Sequence, residues 1–156
     1  MPPPLLFDIS DFDLNHALVD QAGIRLVNPQ RGAMEHLSGI VWYNTTGRII
    51  GFKDVRDDEF WVEGHIPGRP LLPGVIMIEA AAQLASFYVK SALKWEGFVG
   101  FGGVKECKFR LPVVPGCRMY LLCQQSGARH HRFTSDIQGL VNGQVVFEAT
   151  ITGAVM

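Results

Sequence analysis

The residues of this chain best suited to chemistry are a histidine and a glutamate separated by a stiff loop. His65 lies in the segment GHIPGRPLLPGV, residues 64–75, which runs into the nearly uncharged segment IMIEAAAQ, residues 76–83. Glu79 is the first charged residue of that second segment. Histidine and glutamate are among the side chains most often used for proton transfer near neutral pH. The loop determines where one lies relative to the other, so the segment predicts an acid–base site.

The loop after His65 combines residues that fix the backbone with residues that free it. Prolines set φ and glycines allow conformations that other residues resist; these residues are Pro67, Gly68, Pro70, Pro73 and Gly74. Gly74 is expected at the start of a helix, where the backbone N–H groups are unpaired and the dipole is positive. Such an N–H can stabilise a developing oxyanion. Taken alone, a loop histidine can also be structural or solvated.

The run from Val75 to about Lys90 predicts a helix that is buried on nearly all sides. Its residues as far as Val89 are apolar or small except for Glu79, Gln83, Ser86 and the hydroxyl of Tyr88. A surface helix carries polar residues over half its circumference, and this one does not. Only one other helix is plausible in the chain, so strands must cover it. We therefore expect an α+β fold in which a curved antiparallel sheet wraps around one long central helix.

The rest of the chain reads mainly as strands that can form this sheet. Strand-like patterns span residues 37–43, 48–55, 59–63, 97–110, 118–125, 129–141 and 144–155. Asn142-Gly143 predicts a two-residue hairpin turn, because both residues tolerate positive φ. Residues 1–27 predict a short helix or an irregular arm. We expect a single domain over residues 1–156, with its core in residues 28–155.

Glu79 is unusual because burying a lone carboxylate is costly unless it is paired, protonated or functional. Burial raises the pKa of a carboxyl group, which favours a proton donor near neutral pH. Gln83 follows one turn later on the same face, where its amide can bond a ligand or the carboxylate. The alternative is a structural Glu79 bonded to backbone groups.

Composition excludes several other classes of function. A formal net charge of −1 gives no basic character that would favour nucleic acid or a membrane surface. The N-terminal residues lack a basic, apolar leader pattern, and three cysteines without a paired spacing predict neither a disulfide framework nor a zinc site. We expect a cytoplasmic protein that needs no metal or other cofactor.

Residues 64–83 resemble the active-site motif of the (3R)-3-hydroxyacyl-[acyl-carrier-protein] dehydratases of fatty-acid synthesis. That family's pattern is GHFPGxPxxPGVxxxEAxAQ, and only Ile66 differs from it here. The segment FRLPVVPG, residues 109–116, is similar to the family's FxxPVxPG. The segment PQRGAMEHLSG, residues 29–39, departs from the family's PHRYPFLLVDR, so the resemblance leaves chain length and carrier recognition open.

The resemblance implies a hotdog fold and the loss of water from a (3R)-3-hydroxyacyl thioester to give a trans-2-enoyl thioester. His65 would be the base, Glu79 the acid and the Gly74 N–H the oxyanion donor, with no cofactor. In the family, the histidine and the glutamate come from opposite subunits of a dimer, so we expect a homodimer or an oligomer of dimers. The substrate would be carried by acyl carrier protein, and its expected contacts are Gln83, Pro73, Val75, Phe101 and Gly102.

Two other readings remain open at this point. A hotdog enoyl-CoA hydratase or thioesterase would act on coenzyme A thioesters, and a non-catalytic acyl-binding subunit would need neither His65 nor Glu79. Six basic residues can also present charge to an acidic carrier protein, although the sequence does not show whether they cluster: Lys105, Lys108, Arg110, Arg118, Arg129 and Arg132.

Overall fold

The structure is a computed structural model that describes residues 2–156. Its helices are α1 (Gln21–Arg25) and α2 (Gly74–Ser91), with a single 3₁₀ turn at Gly32–Met34. Its strands are β1 (Gly39–Tyr43), β2 (Arg48–Asp54), β3 (Val99–Phe109), β4 (Arg118–Arg129), β5 (Arg132–Val141) and β6 (Gln144–Val155). They form one sheet in the order β1-β2-β4-β5-β6-β3, and each neighbouring pair is antiparallel.

Helix α2 lies in the concave face of this sheet, which confirms the predicted architecture. Ala80, Ala81 and Leu84 are completely buried. Leu84 approaches the sheet so closely that a Cβ added at Gly51 would lie 2.8 Å from its Cδ1 atom. The Tyr88 hydroxyl accepts a 2.7 Å hydrogen bond from the Gly47 N–H in the β1–β2 turn. No helix within residues 2–156 has the length and apolar character needed to cross a membrane.

The predicted strand at residues 59–63 is wrong, because this segment forms turns. The Val62 N–H donates to the Glu59 carbonyl, and the His65 N–H donates to the Trp61 carbonyl. Glu59 and Trp61 are both buried in this segment. Glu59 is buried there as an ion-pair partner rather than exposed on a strand face.

The other predicted elements are present, with small changes at their ends. Asn142 and Gly143 have φ values of 51° and 77° and join β5 to β6 in the expected hairpin turn. Residues 1–27 were expected to form a short helix or an arm, and the described part contains both. Helix α1 is capped by Asp20, whose side chain accepts from the Gly23 N–H.

The N-terminal arm covers the outer face of the sheet, opposite α2. Phe7 is buried in a second apolar cluster with residues of the sheet: Val41, Ile50, Phe52, Leu122 and Leu140. Gln138 fixes the arm on both sides, because its Oε1 atom accepts from the Leu6 N–H at 2.9 Å and its Nε2 atom donates to the Pro4 carbonyl at 2.8 Å. The outer face of the sheet is therefore shielded where the arm crosses β1, β2, β4 and β5.

Replacing Phe7 by alanine tests whether the arm belongs to the folded unit. We expect the free energy of unfolding in urea to fall by about 3 kcal/mol, because the substitution empties a buried aromatic site. Leu5→Ala is the control, since Leu5 is exposed and its loss costs less. An unchanged unfolding free energy in Phe7→Ala would show that the arm is not packed as described.

Candidate active site

The imidazole of His65 is oriented by its own loop. Its Nδ1 atom lies 2.7 Å from the Leu71 carbonyl oxygen. A carbonyl only accepts hydrogen bonds, so Nδ1 carries the proton and the Nε2 atom of a neutral ring keeps its lone pair. The next residue, Ile66, has φ of 60°, a left-handed conformation that is strained for a β-branched side chain. The loop thus presents Nε2 as a proton acceptor.

Gly74 lies in the same groove as His65. This groove has a volume of about 520 Å³, and its lining also includes Leu71, Val75, Met77 and residues 109–113. Gly74 is the first residue of α2, so its N–H has no acceptor within the helix. A Cβ added at Gly74 would lie 2.7 Å from the Phe109 ring, so this contact requires glycine.

The two residues flanking Gly74 have different surroundings. Pro73 is buried, and its carbonyl accepts hydrogen bonds from the Ile76 and Met77 N–H groups of the first helical turn. Val75 is 71% exposed and lines the groove. Pro73 therefore sets the start of the helix, while Val75 offers an apolar surface beside the Gly74 N–H.

Gln83 orients the carboxylate of Glu79. Its Nε2 atom donates to Glu79 Oε2 at 2.9 Å and to the Met34 carbonyl at 2.7 Å, and its Oε1 atom accepts from the His36 N–H at 3.0 Å. Both amide hydrogens are thus used within the protein. Of the two roles open from the sequence, the structure shows the bond to the carboxylate.

Glu79 lines a second, smaller cavity of about 200 Å³. The lining also includes Gln83, Ser86, Phe133 and residues 98–101. Phe101 therefore faces the cavity of the carboxylate, whereas its neighbour Gly102 does not line it. A Cβ added at Gly102 would lie 3.2 Å from the Thr152 carbonyl oxygen, so this glycine permits close packing of β3 on β6.

Within one chain, His65 and Glu79 belong to separate cavities. The groove of His65 and the cavity of Glu79 have no lining residue in common. A single chain thus has a histidine and an unpaired N–H donor in one place and an oriented carboxylate in another. Within residues 2–156, no three His, Cys, Asp or Glu side chains are grouped so that they could hold a metal ion.

A buried polar cluster next to this site escaped the sequence analysis. The Lys53 ammonium donates to Glu59 Oε1 at 2.6 Å and lies 3.2 Å from His36 Nδ1. All three side chains are almost completely buried. Lys53 lies on the same inward face of β2 as Ile49 and Gly51, because every second residue of a strand points to the same side. This spacing of two residues is the one sequence signal that could have identified Lys53 as buried.

Burial and mutual charge set the protonation of this cluster. Burial, together with the positive charge of Lys53, lowers the pKa of His36 to about 4. Burial by itself would raise the pKa of Glu59, but hydrogen bonds from Lys53 and from the Arg56 N–H outweigh it and the pKa is lowered. The cluster therefore holds a neutral His36 beside a charged pair.

Comparisons with known proteins show which family the chain belongs to. A model of the FabA-like domain matches residues 28–150. The 3-hydroxyacyl-[acyl-carrier-protein] dehydratase FabZ of Granulibacter bethesdensis is 32% identical over 142 residues, covering 89% of this chain and 84% of the relative. The bifunctional enzyme LpxC/FabZ of Chlorobaculum tepidum is 31% identical over 148 residues, covering 93% of this chain but only 30% of that longer protein.

A solved structure supports the same fold. The dehydratase heterocomplex ApeI:P from Xenorhabdus doucetiae contains a chain that superposes with a TM-score of 0.71 at 12% identity, covering 85% of this chain and 90% of the other. The helix wrapped by an antiparallel sheet is the hotdog fold. The chain belongs to the FabA-like family, in which it is similar to the 3-hydroxyacyl-[acyl-carrier-protein] dehydratases.

The buried neutral His36 predicts a loss of stability in mild acid. Below its ordinary pKa of about 6.5 the unfolded chain binds a proton at this residue, whereas the folded chain does not until about pH 4. Lowering the pH through this window therefore favours unfolding, by about 2 kcal/mol at pH 5.

Urea unfolding at about pH 7 and about pH 5 measures this difference, and His36→Leu should make it smaller. His16→Gln is the control, because the His16 side chain is exposed. An equal loss of stability in His36→Leu and in the unmodified chain would contradict the assignment.

Proposed function

We propose that this chain removes water from (3R)-3-hydroxyacyl thioesters, carried by acyl carrier protein, to give trans-2-enoyl thioesters. The observation that carries the proposal is the His65 groove, where a proton acceptor and an unpaired backbone donor lie together. The names of the relatives and the oriented carboxylate of Glu79 support it.

Each group then has a definite task. His65 Nε2 takes the C2 proton, and the negative charge that develops on the thioester oxygen accepts a hydrogen bond from the Gly74 N–H. Glu79 is protonated at the start of the reaction and gives its proton to the 3-hydroxyl as the C3–O bond breaks. A C2=C3 double bond and water are the products, and solvent exchange returns the proton from His65 to Glu79.

A second copy of the chain supplies the missing half of each site in this proposal. Strand β3 pairs with β6 on one side, and within residues 2–156 no strand pairs with its other side. This free edge carries three exposed apolar side chains, from Phe101, Val104 and Phe109. An apolar edge strand tends to pair with another chain. Pairing of two β3 strands would bury this edge, and His65 of one copy would then act with Glu79 of the other.

The remaining expected contacts fit this dimeric site. Phe101 lies on the same edge strand and lines the cavity of Glu79, and Val75 lies beside the oxyanion donor, so we assign these two residues to the path of the acyl thioester. Pro73 and Gln83 hold the groups that contact it, and Gly102 permits the close pairing of β3 with β6. The three cysteines are free thiols, which supports a cytoplasmic location. The assembly would be a homodimer or an oligomer of such dimers.

Single substitutions test the catalytic roles. His65→Ala and Glu79→Gln should each lower the rate of hydration of trans-2-enoyl thioesters, the reverse reaction, by about 10²-fold or more, because each removes a proton-transfer group. Circular dichroism and size-exclusion chromatography check that the variants remain folded and associated. Full turnover in His65→Ala would overturn the mechanism, and release of free thiol in place of hydration would indicate a thioesterase.

Mixing the two inactive variants tests the division of the site between copies. A heterodimer of His65→Ala and Glu79→Gln contains one site with both native groups and one with neither. Random exchange of subunits makes half the dimers mixed, so about one quarter of the original rate should return. Separately stored variants are the control. No recovery after demonstrated exchange would show that His65 and Glu79 of the same chain act together.

A further inference from the structure

Four polar side chains interrupt the otherwise apolar run of helix α2 between residues 75 and 89. Three of them have a defined contact, because Gln83 donates to Glu79 at 2.9 Å and the Tyr88 hydroxyl accepts from the Gly47 N–H at 2.7 Å. The fourth is Ser86, which is only 8% exposed and lines the cavity that contains Glu79. Its hydroxyl has no part in these contacts or in the proposed reaction.

Ser86 lies on the same face of the helix as the catalytic carboxylate. Glu79, Ala82, Gln83 and Ser86 all line the cavity, and their spacing of three, four and seven residues places them on one side of α2. A helix rises 1.5 Å per residue, so Ser86 is about 10 Å further along the axis than Glu79. The cavity therefore follows this face for about two turns away from the carboxylate.

A second polar side chain lines the same cavity from outside the helix. The Oε1 atom of Gln30 is buried and has no hydrogen-bond partner among residues 2–156. Its segment is bound to α2, because Asn28 Nδ2 donates to the Gln83 carbonyl at 3.0 Å. Gln30 stands where the family pattern PHRY has its histidine, so this group is a departure of the present chain. Rotation of the amide exchanges Oε1 and Nε2, so Gln30 can offer either an acceptor or a donor.

The rest of the cavity wall is apolar, and this contrast limits what can fill it. Its apolar residues include Ala82, Val99, Phe101, Phe133 and Ile151. A wholly aliphatic chain would place methylene groups against the hydroxyl and the amide and leave both without a partner, which is unfavourable. A hydroxyl group at the same depth can donate one hydrogen bond and accept another, so it can satisfy both.

We propose that the cavity of Glu79 selects acyl chains that carry a hydroxyl group near their far end, with Ser86 and Gln30 as the residues that recognise it. This inference rests on the proposed function and adds the class of acyl chain on which the reaction takes place. Discrimination of this kind is strong, because a site built to bond a substrate hydroxyl is left with unpaired polar groups when the hydroxyl is missing.

The position of Ser86 also sets the length of the chain. An extended chain advances about 1.2 Å per bond, so about eight bonds cover the distance of about 10 Å from Glu79 to Ser86. Eight bonds lead from C3 of the acyl group to an oxygen atom on C10. The cavity of about 200 Å³ holds about seven chain atoms at about 30 Å³ each, which matches C4 to C10.

Two thioesters of equal size test this selection. The substrates are trans-10-hydroxydec-2-enoyl and trans-undec-2-enoyl N-acetylcysteamine, in which a methyl group replaces the hydroxyl. We expect kcat/KM for hydration to be about tenfold higher for the hydroxylated chain. The shorter 8-hydroxyoct-2-enoyl thioester should lose this advantage over its own methyl analogue, because its oxygen does not reach Ser86.

Variants assign the preference to the two residues. In Ser86→Ala the ratio of kcat/KM for the hydroxylated and methyl substrates should fall about tenfold, and Gln30→Leu should lower it in the same direction. The double variant should lose little more than Ser86→Ala alone, because both groups act on one hydroxyl and their effects are not additive. Ser91→Ala is the matched control, since Ser91 ends the same helix outside the cavity and its loss should leave the ratio unchanged.

Three results would overturn the polar subsite. These are equal kcat/KM values for the two substrates, an unchanged ratio in Ser86→Ala, or an equal fall of the ratio in Ser91→Ala. Isothermal titration calorimetry with the saturated 10-hydroxydecanoyl and undecanoyl thioesters measures the same preference without turnover. Inactivity on every enoyl thioester with a Ser86-dependent binding preference would refute the proposed function alone, and normal hydration without any preference would refute the polar subsite alone.

Discussion

Burial of the nearly uncharged helix α2 inside the curved sheet is the constraint on which the rest of the structure depends. Leu84 and the alanines at positions 80 and 81 have no contact with solvent, and apolar burial of this kind is the dominant favourable term in folding. The helix starts at Gly74 because Pro73 ends the loop that contains His65. The same packing therefore places an N–H donor beside the histidine and carries Glu79, five residues later, into its own cavity.

A helix buried in this way can hold a polar face only if each polar group has a partner. Gln83 meets that requirement by binding Glu79, the Met34 carbonyl and the His36 N–H. This connects the carboxylate to residues 34–36, part of the segment that departs most from the family pattern. His36 in turn lies against the Lys53–Glu59 pair. The residues that depart from the family pattern are therefore connected by direct contacts to Gln83, which holds Glu79.

Local patterns in the sequence were sufficient for the central helix, six strands, the Asn142-Gly143 turn and membership of the family. Contacts between residues far apart in the sequence could not be predicted from such local patterns. The strand predicted at residues 59–63 is wrong because Glu59 is buried by its pairing with Lys53, which period-two hydrophobicity does not reveal. The pairing of Arg129 with Arg132 likewise depends on strand register, so the sequence could show basic residues but not their clustering.

The proposed dimer would give the exposed edge of β3 a physical reason, because His65 and Glu79 of one chain lie in separate cavities. An apolar edge strand is a liability for a protein that acts alone, and natural proteins usually block such edges with charge, bulges or a covering segment. Here β3 has bulges near Gly103 and near Glu106, yet Phe101 and Phe109 on either side of them remain exposed. Phe109 also packs over Gly74, and Phe101 lines the cavity of Glu79. In the proposed dimer, the paired edge would carry the side chains that border the groove of His65 and the cavity of Glu79, so pairing of two copies and completion of the active site would be one event.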